Sequence, residues 1–392
     1  MARMPPLRTM SDSIARMAAF RGLQGAYSPT TGVPGRLSTL SEFGSNPGGL
    51  TSKYYLPANL PQGAPLVVVL HGCTQNADGY DRHAGWSQLA DQAGFALLYP
   101  EQHHGNNPNL CFNWFRPGDT RRDSGEALSI RQMIEKMVVA HGLARDRIFI
   151  TGLSAGGAMT SVMLATYPEI FGGGAIIAGL TYGCASSVPE AFDCMRGQGV
   201  ASEEELWALV RAASSHAGPW PRIAIWQGTA DHTVAPSNAE QIAAQWRGVH
   251  RLDDTPTRSE VLGVRAKRVW CNAAGEAVIE VNTVAAMGHG TPLGDEFGVP
   301  GPYMLDVGIS STREIAQFWG IAPASAEAFV PAASAAPQAS AAARGPVPPS
   351  SGTTAPAPGT YAMTISSKPP ASRPSGAKKI IEDALRAAGL MR

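Results

Sequence analysis

Residues 148–157 read IFITGLSAGG, and this stretch decides the fold class of the 392-residue chain. Its first four residues form an apolar, β-branched run typical of a buried strand, and the residues after Ser154 have the pattern of a helix. A Gly-x-Ser-x-Gly motif at such a turn predicts a nucleophile elbow, with Ser154 as the nucleophile. The glycines are needed because the turn is strained and neighbouring chain lies too close for side chains. A small-residue packing turn is the alternative interpretation.

Apolar runs and helical stretches alternate on both sides of the elbow. The runs are continuous, as expected for strands that are buried on both faces of a parallel sheet, and they occupy 66–70, 95–99, 148–151, 174–178 and 223–226. Helices are predicted at 83–93, 124–141, 155–167, 203–214 and 238–246. A late hairpin, 261–270 with 277–284, turns at 273–275. This alternation predicts an α/β fold with a mostly parallel sheet flanked by helices.

The composition changes along the chain and divides it into four predicted segments. Residues 1–45 form an N-terminal extension, and residues 46–321 form the catalytic domain. Residues 322–376 are dominated by Ala, Pro and Ser, which predicts a disordered linker because such a segment buries little apolar surface. Residues 377–392 have apolar residues at helical spacing and predict a short amphipathic helix.

The charge balance excludes two classes of partner. Lys+Arg and Asp+Glu number 31 each, so the chain has no charge excess to attract nucleic acid or an anionic membrane. No segment approaches the roughly 20 apolar residues that span a bilayer. The N-terminus also lacks the apolar run of a signal peptide, so a cytoplasmic location is expected.

The five cysteines leave several states open. None belongs to a Cys-x-x-Cys pair, so a zinc site is not expected. Buried thiols, a local Cys184–Cys194 pair and a Cys73–Cys111 bridge in an oxidising compartment are the alternatives.

A serine nucleophile needs a general base and an acid that orients it. In α/β-hydrolases these follow in the order serine, acid, histidine. Asp231 lies in GTADHTV just after the run IAIW, where a strand of such a sheet ends, and His289 lies in the glycine-flanked sequence MGHG. The predicted triad is therefore Ser154, Asp231 and His289.

Other acids and histidines fit this order less well. His232 adjoins Asp231 and suits a loop histidine better than a base on a separate loop. Asp253 and Asp254 follow a predicted helix and are interpreted as solvated charges. Six further histidines precede the acid or belong to other loops: His71, His103, His104, His141, His216 and His250.

Acyl transfer also needs N–H donors directed at the oxyanion of the tetrahedral intermediate. The residue after the nucleophile, Ala155, supplies one main-chain N–H. The sequence HGCTQ follows the early strand 66–70, so the second donor is predicted to be the main-chain N–H of Cys73. Alternatively, HGC only packs beneath the site.

Five motifs in order resemble the poly(3-hydroxybutyrate) depolymerase-type esterases, which are related to feruloyl and acetylxylan esterases. These motifs are HGCTQNADGY, CFNWF, GLSAGGAMTSVMLATYPEIFGGGAIIAGLTYGCA, WQGTADHTV and MGHG, and the resemblance runs from about 54 to 321. It implies the α/β-hydrolase fold, the triad and the oxyanion hole given above, and a Cys73–Cys111 disulfide. Similar esterases are commonly secreted with a signal peptide, whereas none is predicted from this sequence.

Aromatic residues near the motifs are candidates for substrate binding. The resemblance places the segment Phe112-Asn113-Trp114-Phe115 at the rim of the crevice, where Asn113 and Trp114 could contact an apolar polyester or a phenolic acid. Tyr182 and Trp226 are weaker candidates near the nucleophile and acid loops. The alternative for Trp114 is a core anchor.

The sequence thus predicts a serine hydrolase of carboxylic esters with no cofactor and no metal. Its expected substrate is poly(3-hydroxybutyrate), an insoluble polyester, or hydroxyalkanoate oligomers. The alternatives are a feruloyl or acetylxylan esterase, a serine peptidase on the same fold, and a polymer-granule or carbohydrate-binding protein with a vestigial hydrolase domain.

Overall fold

A computed structural model of the chain describes residues 35–199, 201–294 and 296–323. The predicted helix 377–392, most of the predicted linker 322–376 and the first 34 residues of the predicted extension lie outside the described residues.

Most strands of the described chain join one large sheet. The strands are β1 Ser38–Thr39, β2 Thr51–Tyr55, β3 Leu66–Leu70, β4 Ala96–Glu101, β5 Ile148–Leu153, β6 Gly173–Ile177, β7 Arg222–Gly228, β8 Arg258–Leu262, β9 Arg265–Cys271, β10 Ala277–Val284, β11 Thr291–Leu293 and β12 Met304–Asp306. The order in the large sheet is β1-β2-β4-β3-β5-β6-β7-β10-β9-β8, and β11 and β12 pair separately.

The centre of this sheet is parallel. Strands β4, β3, β5, β6, β7 and β10 run in one direction, and antiparallel strands complete both edges. Within β3, Val68 packs into the core on one face, whereas Val67 and Val69 pack into the core on the other. The continuous apolar run is therefore buried on both sides, as predicted.

Helices cover both faces of the sheet. They are α1 Ala77–Ala84, α2 Trp86–Ala93, α3 Gly125–His141, α4 Ala155–Thr166, α5 Val188–Met195, α6 Glu203–Ala212, α7 Ser237–His250 and α8 Ser311–Phe318. Helices α3, α4 and α7 pack on one face, and α1, α2 and α8 pack on the other. This arrangement confirms the predicted α/β fold with helices flanking a mostly parallel sheet.

Two predicted elements are wrong in detail, each because of a glycine. The single helix predicted at 83–93 is two helices, since Gly85 has φ of +74° and the chain at Phe297 approaches it too closely for a side chain. The strand predicted at 261–270 is also two strands, β8 and β9, which turn at Gly263 with φ of +59°. In addition, β1 brings residues 38–39 of the predicted extension into the sheet.

The carboxyl ends of four central strands position the candidate site. Strand β3 ends just before the loop that contains Cys73, and β5 ends immediately before Ser154. Strand β7 ends three residues before Asp231, and β10 ends five residues before His289. Parallel strands have their carboxyl ends at the same edge, so all four loops emerge there.

Candidate active site

Main-chain packing fixes the position of Ser154 between β5 and α4. Its φ of +57° and ψ of −117° are strained for a residue with a side chain, and its N–H donates to Ile177 O at 2.9 Å. A Cβ on Gly152 would lie 2.3 Å from Gly156 O, and one on Gly156 would lie 2.4 Å from Leu70 O. Both positions require glycine because the backbone itself occupies the space.

Asp231 and His289 form a buried hydrogen-bonded pair. Asp231 Oδ2 lies 2.7 Å from His289 Nδ1 and also accepts from Gln227 Nε2 at 3.0 Å. Asp231 Oδ1 accepts from the main-chain N–H groups of Thr233 and Val234 at 2.8 and 2.9 Å. Three N–H donors from Gln227, Thr233 and Val234 thus bond to the Asp231 oxygens, and a carboxylate can only accept from the histidine. The proton of the neutral imidazole consequently lies on Nδ1, and Nε2 is left as an acceptor.

The turn that carries Asp231 also fixes the loop that carries His289. Ala230 N–H donates to Met287 O at 2.9 Å, and Thr229 N–H donates to Val284 O at 3.0 Å. A Cβ on Gly228 would lie 2.2 Å from Met287 O, so this close approach requires glycine. Backbone contacts thus align the acid with the histidine although 58 positions separate them.

A cavity at the carboxyl edge of the sheet brings Ser154, His289 and Cys73 together. It is lined by Gly72, Cys73, Thr74, Gln75, Leu153, Ser154, His289 and Tyr303. The Tyr303 ring lies edge-on to His289 with ring centroids 6.0 Å apart. Sequence reasoning missed Thr74, Gln75 and Tyr303. HGCTQ contained the first two, but nothing in the sequence indicated that Tyr303 folds back to His289.

Long-range and local bonds together hold the loop of the predicted oxyanion donor Cys73. Cys73 and Cys111 form a disulfide, the pairing that the family resemblance implied. Thr74 N–H donates to Asn109 O at 2.8 Å, and Gly72 N–H donates to Gln75 Oε1 at 2.8 Å. Thr74 has φ of +64°, which is unusual for a β-branched residue and marks a loop held in a strained shape by its surroundings.

The other predicted oxyanion donor, Ala155, is the first residue of α4. The first N–H groups of a helix have no intrahelical acceptor, so its amide is free to serve an external oxygen. The positive end of the helix dipole adds to the attraction for a developing negative charge.

The other cysteines are thiols in the structure. Cys184, Cys194 and Cys271 are free, and Cys194 Sγ donates to Cys184 O at 2.7 Å. The alternative of a Cys184–Cys194 bridge is therefore not present, although the two residues are neighbours.

Glu126, at the start of α3, lies completely buried beneath the loop that carries Cys111. Four N–H donors surround its carboxyl group at 2.7–3.2 Å: the side-chain amides of Gln102, Asn106 and Asn113, and the main chain of Asn113. Burial nevertheless raises the pKa of Glu126 to about 8, since loss of hydration penalises the charged form more than these bonds favour it.

The structure corrects three of the four predicted substrate-binding residues. Asn113 is fully buried and bonds to Glu126 and Asn107, so it supports the loop rather than meeting a substrate. Trp114 is 8% exposed and packs in the core, as its alternative interpretation proposed. Trp226 is 1% exposed and lies in the core on the sheet's other face. Tyr182 is half-buried and stays a candidate.

The competing acid and base residues lie apart from the pair. His232 is exposed although it adjoins Asp231. Asp253 and Asp254 are also exposed, and Asp254 Oδ1 accepts from the Arg247 guanidinium at 3.1 Å. Within residues 35–323, apart from the two undescribed positions, no group of three or more His, Cys, Asp or Glu residues could hold a metal ion. In that same part of the chain no helix is long and apolar enough to cross a membrane.

A strained serine at a strand-to-helix turn and a buried acid–histidine pair, all at the carboxyl edge of a mostly parallel sheet, define the class of α/β-hydrolases. Within that class the chain belongs to the family described as Esterase PHB depolymerase, whose model matches residues 50–263.

Relatives of known activity support this assignment. The chain is 45% identical over 292 residues to poly(3-hydroxyalkanoate) depolymerase C of Paucimonas lemoignei, which covers 73% of this chain and 70% of that protein. It is 32% identical over 274 residues to an acetylxylan esterase of Coprinopsis cinerea, covering 67% and 72%. The structure of an acetyl xylan esterase from Aspergillus awamori aligns with a TM-score of 0.64 and 26% identity, covering 73% of this chain and 99% of that one. These names all describe hydrolases of carboxylic esters, and the chain is an enzyme of that class.

Proposed function

We propose that the chain hydrolyses hydroxyalkanoate esters with Ser154 as nucleophile, His289 as general base and Asp231 as its orienting acid. The observation that carries the mechanism is the 2.7 Å bond between Asp231 and His289 at the wall of a cavity that Ser154 and His289 share. That bond leaves His289 Nε2 as an acceptor, in a residue that lines the same cavity as Ser154.

Acylation begins when His289 Nε2 accepts the Ser154 hydroxyl proton while Ser154 Oγ attacks the ester carbonyl carbon. The carbonyl oxygen becomes an oxyanion, which accepts hydrogen bonds from the Cys73 and Ala155 amides. The imidazolium is stabilised by the Asp231 carboxylate. Collapse of the intermediate breaks the bond to the alcohol oxygen, and His289 returns its proton to that leaving group.

Deacylation repeats these steps with water. His289 removes a proton from the water, whose oxygen attacks the acyl carbon, and the second tetrahedral intermediate uses the same amides. Its collapse releases the carboxylic acid and returns the proton to Ser154. The cycle consumes one water and needs no cofactor.

The substrate class rests on the relatives. The 45% identity to a poly(3-hydroxyalkanoate) depolymerase exceeds the 32% identity to an acetylxylan esterase, and it extends over more of the chain. We therefore propose a hydroxyalkanoate polyester or its oligomers as substrate. An acetyl ester of xylan is the second candidate, because the aligned Aspergillus awamori structure is an acetyl xylan esterase.

Initial rates on a panel of esters test both the proposed mechanism and the proposed substrate class. The panel contains a short aryl ester, a 3-hydroxybutyrate oligomer, acetylated xylan and methyl ferulate, and Ser154→Ala serves as the control. We expect the highest kcat/KM on the oligomer and a loss of about 10⁶ in kcat for Ser154→Ala on every ester. A preference for acetylated xylan or methyl ferulate would show that the substrate class is that ester and not the hydroxyalkanoate esters. Full activity of Ser154→Ala would refute the mechanism, and inactivity of the folded wild type on all esters would favour a binding protein.

A further inference from the structure

A cavity separate from the candidate active site lies at the opposite edge of the sheet. Its lining includes Phe171, which precedes β6, Arg222, the first residue of β7, and Glu276, which precedes β10. These three strands run parallel, so their amino ends meet at one edge, away from Ser154. The volume of the cavity is about 640 Å³, within the range of sites for small organic ligands.

Positive charge dominates the wall of this cavity. Three arginines line it, Arg211, Arg222 and Arg251, but only one carboxylate does, that of Glu276. Among the residues that the structure describes, none forms an ion pair with these three arginines. His250 also lines the cavity, and burial lowers its pKa to about 4, so this ring is neutral near pH 7.

The ends of two helices reduce this positive charge without cancelling it. Arg211 comes from the last turn of α6, and Val249 from the last turn of α7. The carboxyl end of a helix has a partial charge equivalent to about half a negative charge. Together with the Glu276 carboxylate, the two helix ends leave an excess of about one positive charge. The wall therefore favours an anion.

Two of the three guanidinium groups are held in position. Arg211 lies over the rings of Trp207 and Trp220, 5.4 and 5.9 Å from their centroids, and its Nη2 donates to Val249 O at 2.8 Å. Its Nε is shielded from solvent and has no hydrogen-bond partner in the described part of the chain. Arg222 Nη1 donates to the carbonyl of the last residue of α8 at 3.0 Å. A guanidinium has five N–H donors, so both groups keep donors for a ligand.

The remaining wall offers apolar and aromatic surface. Phe171, Trp220 and Val278 line the cavity beside the arginines. The Trp220 ring is packed edge-on against His216, with ring centroids 4.9 Å apart. An inorganic anion would leave this surface in contact with water, and a neutral apolar molecule would leave the guanidinium groups without a partner. A ligand that uses both parts of the wall has an anionic group and an apolar body.

We propose that this cavity binds an organic carboxylate, whose charged group meets the three arginines and whose apolar body packs against Phe171 and Trp220. A carboxylate suits arginine because its two oxygens match the planar fork of the guanidinium group. The site goes beyond the proposed function and does not depend on it. The acid that ester hydrolysis releases is one ligand of this class, and an aromatic acid is another.

Isothermal titration calorimetry of the wild type at low ionic strength tests the ligand class. The probes are 3-hydroxybutyrate, benzoate, the neutral benzamide and inorganic phosphate. We expect at least one of the two organic acids to bind about tenfold more tightly than benzamide and phosphate. Tighter binding of 3-hydroxybutyrate identifies the product of ester hydrolysis as the ligand, and tighter binding of benzoate identifies an aromatic acid.

Two substitutions with opposite expected effects locate the site. Arg251 is exposed and its side chain bonds to no other described residue, so Arg251→Gln should weaken binding about tenfold without harming the fold. Glu276→Gln removes the one carboxylate but keeps an oxygen that can accept from Asn272 Nδ2, and should strengthen binding about two- to fivefold. Arg258→Gln, which removes an exposed arginine on β8, is the control and should leave the affinity unchanged.

Binding of the same acids in the active site is measured separately, as competitive inhibition of the hydrolysis of a short aryl ester. Arg251→Gln should leave that inhibition constant, kcat and KM unchanged, because the cavity lies at the other edge of the sheet. The proposal would be overturned if neither acid bound, if benzamide or phosphate bound as tightly as the acids, or if the wild type and Arg251→Gln bound equally. Activity in Ser154→Ala would instead remove the proposed function, so the two failures are distinguishable.

Discussion

The two sides of the candidate site are held by different forces. On the side of Ser154, Asp231 and His289, backbone packs against backbone at Gly152, Gly156 and Gly228. On the side of Cys73, side chains from distant parts of the chain support the loop through the disulfide to Cys111 and the cluster around Glu126, beside one main-chain bond from Thr74 to Asn109.

This difference predicts how each side fails. At these three glycines an added Cβ would lie 2.2–2.4 Å from a main-chain atom, which leaves no room for adjustment. Any larger residue there is therefore expected to disrupt the site completely. Side-chain bonds can be removed one at a time, each with a net contribution of about 1 kcal/mol, or more for buried groups. We therefore expect single substitutions to cause large losses of activity or stability on the side of Ser154. On the side of Cys73 we expect smaller losses, one for each bond removed.

The largest effect is expected from Asp231, on the side of the site that backbone packing holds in place. Asp231→Asn preserves the shape of the side chain but removes the carboxylate that stabilises the imidazolium, so kcat should fall by about 10⁴. Initial rates on a short aryl ester measure this loss. Asp253→Asn is the matched control, because Asp253 is exposed, and should leave kcat unchanged. Loss of activity only in Asp253→Asn would show that the acid is misassigned.

Gly156→Ala tests the backbone contact itself. The added methyl group would lie 2.4 Å from Leu70 O and 2.5 Å from His71 O, so the elbow must shift away from β3. We expect a loss of several kcal/mol in the free energy of unfolding, comparable to severe overpacking, together with loss of activity. Gly118→Ala is the control, since nothing lies within 4 Å of its Cβ position. If urea unfolding gave the same stability for both variants, the elbow would be more adaptable than its geometry implies.

Removing the disulfide tests the side of the site that contains Cys73. Cys73→Ser with Cys111→Ser opens a link between residues 38 positions apart, and we expect a loss of about 2–4 kcal/mol in the free energy of unfolding. The Cys73 amide survives, so activity should fall by far less than in Asp231→Asn. Cys271→Ser, which removes a free thiol, is the control and should change neither property. Five reactive thiols in denatured, unreduced wild type would show that this bridge is absent in solution.

The same contrast explains what the sequence could predict. The elbow, the parallel sheet and the order of Ser154, Asp231 and His289 follow from local motifs, because each residue type is required by its own turn or strand. Tyr303 could not be placed this way, since its contact with His289 depends on the pairing of β11 with β12. The family resemblance placed the segment with Asn113 at the rim of the crevice, whereas in the structure Asn113 bonds to the buried Glu126 carboxyl group.

The side of the site that contains Cys73 also has a buried group that titrates, and its expected effect is a dependence of stability on pH. Burial raises the pKa of Glu126 from its ordinary value of 4.5 to about 8. Between these values the folded chain keeps a proton that the unfolded chain releases, so stability falls as pH rises through this window. One such proton contributes a slope of at most about 1.4 kcal/mol per pH unit.

Glu126→Gln removes the titration while retaining the shape of the side chain. The difference in free energy of unfolding, wild type minus variant, should therefore decrease from pH 5 to pH 8, as measured by urea unfolding at each pH. Glu135→Gln on the same helix is the control. Its ion pairs with Arg145 and Arg131 lower the pKa of Glu135 to about 2, so both its folded and unfolded states are ionised above pH 5 and its difference stays constant. Parallel curves for the wild type and Glu126→Gln would mean that the four donors keep Glu126 charged throughout this range. The Cys73 loop would then rest on a permanent buried anion, and its support would be as independent of pH as the backbone contacts around Ser154.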